Sequence, residues 1–422
     1  MLVKRLTSVL LCVLLLAGVL CAPCGALVTT AEPPLTAEDA ALVWKYVPGT
    51  GYRDAPSVPV WFADKVYVMH HKTLDCLNAA TGEVERSGSM AAAPSYAIVP
   101  VLCTNDTVYC PLGGGIVQAF DRGTLTSRWI YTDPLGGQAL TGIVTDGSNV
   151  FTGFWNEETE DANFVCLDAK TGECRWRVTR TGGYYFADCQ AVGDKVLLGG
   201  DNGMGGDGEG QLLCLDKSTG ATLDSLTFSG DNRSPIVAFG GAYYFTTKAG
   251  MLYKVTLQGS KLTLAGSVQL PGAATSAPVG SGKKLYLGVQ QGRAGAVLTL
   301  DADTLQTLQT VPVAGYPQAE MLLVDGASPR LILTCNVQPG ALYTVDPAAG
   351  TSDVLYTPEE GSRNYCISPV NIMPDGTLLY KNDSGAVFAV GHKQPQKLNF
   401  FQRLIARFRA FWQWLTSLFG KH

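Results

Sequence analysis

The stretch Cys166-Leu-Asp-Ala-Lys-Thr-Gly172, followed by Glu-Cys-Arg-Trp176, decides the fold of this chain. A β-type run ends in an apolar-Asp pair, small residues turn the chain at a glycine, and a second β-type run carries a tryptophan. The pattern recurs as Cys76-Leu-Asn-Ala-Ala-Thr-Gly82, Cys214-Leu-Asp-Lys-Ser-Thr-Gly220 and Tyr343-Thr-Val-Asp-Pro-Ala-Ala-Gly350. The position after the apolar residue falls at Asn78, Asp121, Asp168, Asp216, Thr256, Asp301, Asp346 and, degenerately, Gly391, in steps of 43, 47, 48, 40, 45, 45 and 45. Repeats of this length that contain only strand signals stack radially as propeller blades.

Each step holds four strands. In the third unit the inner strand is expected over 140–145, then 150–154, 164–168 and an outer strand over 173–178, with Asp146-Gly147 and Thr171-Gly172 as tight turns. The eighth unit has strand signals from Cys366 to Val370, Thr377 to Tyr380 and Ala386 to Val390, but no outer strand follows. Leu42-Val-Trp-Lys-Tyr46 is left over at the other end, and its Trp44 matches Trp129 and Trp176. Pairing it beside Val390 removes an exposed edge, so the expected fold is all-β: an eight-bladed propeller over 42–391 closed by the N-terminal strand.

The apolar-Asp-x-x-Thr-Gly-x-x-x-Trp pattern, preceded by strands such as Leu285-Tyr-Leu-Gly288, resembles the repeat of the propellers named after pyrroloquinoline quinone. That family holds quinoprotein alcohol dehydrogenases and non-catalytic outer-membrane assembly lipoproteins. The resemblance runs over about residues 42–391 and implies the fold. The cofactor does not follow from it, because the motif residues build turns and blade packing rather than a quinone site. The adjacent cysteine pair of the family's enzymes is missing, and their calcium-binding acids have no matching positions here. The expectation is a non-enzymatic chain without quinone.

The ends read differently from the body. Lys4 and Arg5 precede an apolar run from Val9 to Leu20, and small residues lead to Ala26, which is the pattern of a secretory leader over 1–26. Acylation at Cys21 is the rival reading, with Leu20 standing where a small residue is wanted. Residues 27–41 read as a linker, as do 392–397. Over 398–419, Phe401, Leu404, Ile405, Phe408, Phe411, Trp412 and Leu415 fall on one helical stripe, while Arg403, Arg407 and Arg409 supply only basic charge. Such a helix suits a bilayer interface rather than a span, and the same stripe would also serve for docking on the propeller.

The whole chain is −5, although residues 1–26 and 384–422 together contribute eight basic residues and no acid. The propeller body is therefore strongly acidic, which repels phosphate backbones and argues against nucleic acid as a partner. Nine cysteines remain after Ala26, an odd number scattered through a well-cored chain, with Cys76, Cys166 and Cys214 at one repeated strand position. They are expected to pack the core, and Cys103 with Cys110 or Cys166 with Cys174 could pair across strands. Four histidines, with His70 and His71 expected on opposite faces of a strand, give too little material for a zinc triad or a Ser-His-Asp site.

Recognition residues are expected on the loops between blades. Tyr52, Arg53 and Asp54, Tyr185, Asn232 and Arg233, Tyr316 and Gln318, and Asn364 and Tyr365 would converge at the mouth of the ring, suited to a protein, peptide or glycan ligand unless they only brace one another. Two second-to-third-strand loops on the same face, 156–163 and 201–210, are long and acidic. Asp201, Asp207 and Glu209 among glycines could hold calcium, or the loop could simply be solvated. The expected function is a secreted binding or assembly scaffold, on the outer face of a bacterial membrane through its C-terminal helix. A quinone- or calcium-dependent enzyme and a structural envelope protein are the alternatives.

Overall fold

A computed structural model describes residues 28–96, 98–181, 188–200 and 208–394. Eight antiparallel sheets of four strands follow one another along the chain. Blade 1 comprises Val60–Phe62, Lys65–His70, Thr73–Asn78 and Val84–Ser89, and blade 8 comprises Asn371–Ile372, Leu378–Lys381, Val387–His392 and the N-terminal strand Ala40–Tyr46. The closure is as the orphan strand required: Leu42 pairs with Val390 and Trp44 with Ala389. The core lies between neighbouring sheets. Phe151, Phe164 and Trp176 of blade 3, for example, pack with Val196, Leu198 and Leu215 of blade 4.

The repeated motif works as a clasp from blade to blade. The Asp168 carboxylate accepts the N–H groups of Lys170 and Thr171 at 2.8 and 2.9 Å, and the turn ends at Gly172 with φ +76°. The indole of Trp129, on the outer strand of the preceding blade, lies against that glycine, where a Cβ would stand 2.5 Å from the ring, and its Nε1–H donates to Ala169 O at 3.2 Å. Trp176 meets Gly220 and Lys217 O in the same way, and Trp44 meets Gly82 and Ala79 O. Where Leu125 and Leu305 replace the turn glycine, at φ +57° and +60°, the neighbouring outer strand carries Gly88 or Gly266 instead. The large partner has changed sides, and the gap stays filled.

Some boundaries differ from the sequence reading. The inner strand of blade 3 is only Val144–Thr145 and that of blade 8 only Asn371–Ile372, because the residues before them bond to neighbouring blades. Gly142 N–H donates to Asp188, and Ser368 N–H donates to the Thr334 hydroxyl of blade 7. The acidic segment 156–163 is mostly strand: Asn149–Asn156 and Asp161–Asp168 leave a turn of four residues. His71 sits in the turn after Lys65–His70 with φ +46°, which breaks the alternation expected of a strand. Its ring stands 5.7 Å from that of His70, edge to face, not on the opposite side of the sheet. All nine cysteines of the described residues are free, eight of them buried, and Cys76, Cys166 and Cys214 share one register position.

Two features tie down the stretch before Ala40. Val28–Thr29 adds a fifth strand to blade 7, parallel to Leu322–Val324 on its inner edge, and Asp325 N–H donates to Thr29 O at 2.9 Å. His392 then clips the chain back: Nδ1 lies 2.7 Å from Asp39 and Nε2 2.8 Å from Glu32 O. Both partners are acceptors, so the ring must carry both protons, and the Glu32 carbonyl, followed by Asp39, raises the His392 pKa. A raised histidine pKa gives stability that is complete below the unfolded value of about 6.5 and is lost as pH rises through the folded one. Hydrogen exchange at Ala40–Tyr46 should therefore quicken from pH 6 to pH 8 beyond its intrinsic rate, and His392→Ala should abolish the excess.

Candidate functional site

The loops between blades and the second-to-third-strand turns open on one face, as alternating strand directions demand. Tyr52-Arg53-Asp54 forms a 3-10 turn between blades 8 and 1, fixed by Thr50, whose N–H and hydroxyl both donate to the Asp54 carboxylate at 3.0 and 2.9 Å. These bonds hold the Asp54 pKa below its ordinary value. Tyr52 is left 64% exposed, Tyr96 of the next loop 44%, and Tyr365 of the loop between blades 7 and 8 48%. Partial burial raises the Tyr52 pKa, and the facing Tyr96 and Asp383 raise it further. Asp383 N–H in turn donates to Tyr365 O at 2.9 Å. Tyr52 thus faces both Tyr96 and Asp383, and the Asp383 backbone is tied to the loop that carries Tyr365.

Beneath them lies a braced base. Asn364 donates to Asp383 O at 2.9 Å and accepts from Tyr365 N–H at 2.9 Å. Lys381 is buried beside Asp383 with Nζ 3.5 Å from the carboxylate; burial lowers the lysine pKa and raises that of the acid. At the seam of blades 8 and 1, Tyr46 donates to Asp75 at 2.5 Å, His70 Nε2 lies 2.6 Å from the same carboxylate, and Ser87 donates to its other oxygen at 2.5 Å. Burial followed by the Asp75 contact raises the Tyr46 pKa, so this phenol stays a donor at neutral pH.

Of the residues expected at the mouth, Tyr52, Arg53, Asp54 and Tyr365 stand on the open face, and Asn364 supports them. Tyr316 and Gln318 bridge blades 6 and 7: the Tyr316 hydroxyl lies 2.8 Å from that of Thr275, and Asn336 donates to Gln318 Oε1 at 3.0 Å. Asn232 and Arg233 are buried in the wall between blades 4 and 5. Tyr185, Asp201 and Asp207 lie outside the described residues, as do the membrane-facing residues expected over 398–419 and the helix itself; Glu209 opens the third strand of blade 4. Among the described residues no three His, Cys, Asp or Glu side chains gather as a metal ligand set. Tyr96, Lys381 and Asp383 had no motif to mark them; a repeat-by-repeat alignment of the loops would have shown only that they break the pattern.

A second feature lies deeper, where the inter-blade loops enter the central channel. Asp188 is 4% exposed, and its Oδ1 accepts Gly142 N–H at 2.7 Å. The Glu320 carboxyl likewise accepts Ala277 N–H. Burial pushes both acids up to about 7, with the Glu320 charge adding to the shift at Asp188.

Comparison with solved structures agrees with the ring. BamB from Moraxella catarrhalis superposes with a TM-score of 0.62 at 13% identity, over 83% of this chain and 99% of that one. The quinohemoprotein alcohol dehydrogenase of Comamonas testosteroni gives 0.65 at 12% over 87% and 79%, and a europium-containing methanol dehydrogenase 0.68 at 10% over 87% and 96%. At such identities the likeness is one of fold. No curated protein sequence matches the chain. The family model described as outer membrane protein assembly factor BamB matches residues 160–394, more than half of the chain, and on that match the protein belongs to the BamB-like family of eight-bladed propellers.

Proposed function

We propose that this chain is a secreted, non-enzymatic scaffold of the bacterial envelope, attached to a membrane surface by residues 398–419 and presenting its inter-blade loop face to a protein, peptide or glycan partner. The observation that carries the reading is a set of exposed tyrosines on three separate loops, with Tyr52 facing Tyr96 and Asp383 and with Tyr365 on the loop hydrogen-bonded to the Asp383 backbone. Exposed tyrosines give contact area at low entropy cost, and the hydrogen-bonded base beneath keeps that area pre-formed. The turn Glu157–Glu160 on the same face adds acidic charge, so a basic partner surface is favoured. Family membership supports a scaffold role, since its described function is assembly rather than catalysis.

A resident quinone with calcium fits the described residues poorly. Among the described residues no three acidic side chains gather to hold the ion. Residues 398–419 and the tyrosines can be tested together. The parent should float with liposomes and retain a partner from envelope extract; a chain ending at Pro395 should lose flotation. A Tyr52→Ala/Tyr96→Ala/Tyr365→Ala chain should float normally but retain at least about tenfold less partner, the loss expected when a central aromatic cluster is removed. Equal flotation of the shortened chain, or undiminished capture by the triple variant, would remove the corresponding half of the reading.

A further inference from the structure

We propose that the inner edge of blade 7, Leu322–Val324, is a binding site for an extended C-terminal peptide of a partner, and that Val28–Thr29 of the chain itself holds the site until the partner displaces it.

An irregularity of blade 7 builds the site. In blades 1, 4, 5 and 6 two residues join the inner strand to the second one, whereas in blade 7 five do, from Asp325 to Pro329. This longer turn is fixed at its start: Asp325 Oδ1 accepts the Ser281 hydroxyl of blade 6 at 2.6 Å and Gly326 N–H at 3.0 Å. Asp325 N–H is left outside the hairpin and donates to Thr29 O at 2.9 Å. Among the described residues blade 7 alone carries a fifth strand, with Val28 opposite Leu323 and Thr29 opposite Val324. An edge that pairs with one extended segment offers the same N–H and C=O groups to another.

The resident strand is lightly held. It makes two pairs, and Val28 is left 47% exposed. The residues after it are anchored separately: Pro33 and Pro34 are buried, Glu32 O lies 2.8 Å from His392 Nε2, and Leu35 packs with the core between blades 7 and 8. Val28–Thr29 can therefore leave the edge while Glu32–Leu35 stays in place, and the anchor returns it as a tethered competitor. Direction selects the partner. Val28–Thr29 runs parallel to Leu322–Val324, which descends from the loop face toward Asp325. A peptide that enters from the loop face in that sense goes in with its C-terminus leading, so a free C-terminal tail fits and an internal loop does not. β-Branched residues suit the two positions where Val28 and Thr29 stand.

The test compares the full chain with the full chain carrying Thr29→Pro, which removes a backbone donor from the resident strand. The probe is a synthetic peptide of residues 28–35 with a fluorescent group at its N-terminus, beside a scrambled peptide of the same composition. The Thr29→Pro chain should bind the probe at least about tenfold more tightly than the parent, because its own strand no longer competes. Exchange of the Asp325 amide should quicken in Thr29→Pro and return to the parent rate at saturating probe. That amide reads this edge and not the exposed tyrosines, so the outcome is independent of the loop-face reading. A probe fused to a globular protein through its N-terminus should still bind, and one fused through its C-terminus should not. Equal binding by both chains, binding by neither, equal binding of the scrambled peptide, or an Asp325 amide that the probe fails to slow would overturn the site. Equal binding of the two fusions would overturn the direction of entry.

Discussion

A Trp44→Ala chain should unfold about 3–5 kcal/mol more easily in urea than the parent, the range for removing a buried tryptophan. Trp44 is buried at the join of blades 8 and 1, in a cluster with Val66, Leu77, Leu379 and Ala389. Its Nε1–H donates to Ala79 O at 2.8 Å, and Gly82, at φ +72°, leaves room for its ring. Truncation therefore opens a cavity and leaves a carbonyl without its donor. Trp176→Ala removes the same chemistry between blades 3 and 4, where the chain itself links the two sheets. Trp44 is different, because Ala40–Tyr46 is held to blade 8 by strand pairing and the His392 clip, not by chain continuity. Hydrogen exchange should accordingly speed up across Ala40–Tyr46 and Val387–His392 in Trp44→Ala and not in Trp176→Ala. Unchanged exchange there would show that the join does not depend on the indole.

Asp133→Ala should cost a similar amount, about 3–5 kcal/mol, as expected when one member of a buried charged network is removed and its partners are stranded. The carboxylate is almost fully buried between blades 2 and 3 and accepts from Asn163 Nδ2 at 2.7 Å, the Tyr131 hydroxyl at 2.8 Å, Leu135 N–H at 3.1 Å and Arg177 Nε at 3.3 Å. Arg177 also donates to the Tyr131 hydroxyl at 3.0 Å, and the Thr179 hydroxyl to Asn163 Oδ1 at 2.6 Å. No single substitution can satisfy the four donors that Asp133 serves. Asp133→Asn keeps one acceptor and the shape, so it should recover part of the loss; an alanine variant as stable as the parent would show that water replaces the carboxylate freely.

How much of this was readable in the sequence follows from which interactions repeat. The Asp-Thr-Gly turn, the tryptophan and the alternating strands occur in several units, so local chemistry announced the blades, and the missing eighth outer strand pointed to Leu42–Tyr46. Asp133 and Asn163 carry no such signature. Each is polar in an ordinary place, and only the approach of two sheets makes them a network. Val28–Thr29 is too short to read as a strand, and its pairing is parallel to a segment far along the chain. The mouth was half legible: Tyr52 and Tyr365 stand where the loop rule put them, but Asn232 and Arg233 turned into the wall, since a loop crossing from one blade's outer edge to the next blade's inner edge must bury its middle. Asp188 and Glu320 were hidden because acids at two of eight equivalent positions make no motif.

The last described strand, Val387–His392, lies inside blade 8 with Leu378–Lys381 on one side and Ala40–Tyr46 on the other. The polypeptide continues from it toward residues 398–419. Tension transmitted through that continuation would act lengthwise on a strand gripped by two ladders, so its hydrogen bonds would have to shear together rather than peel one by one. A ring sealed in this way has its last described strand paired on both sides rather than left at an edge.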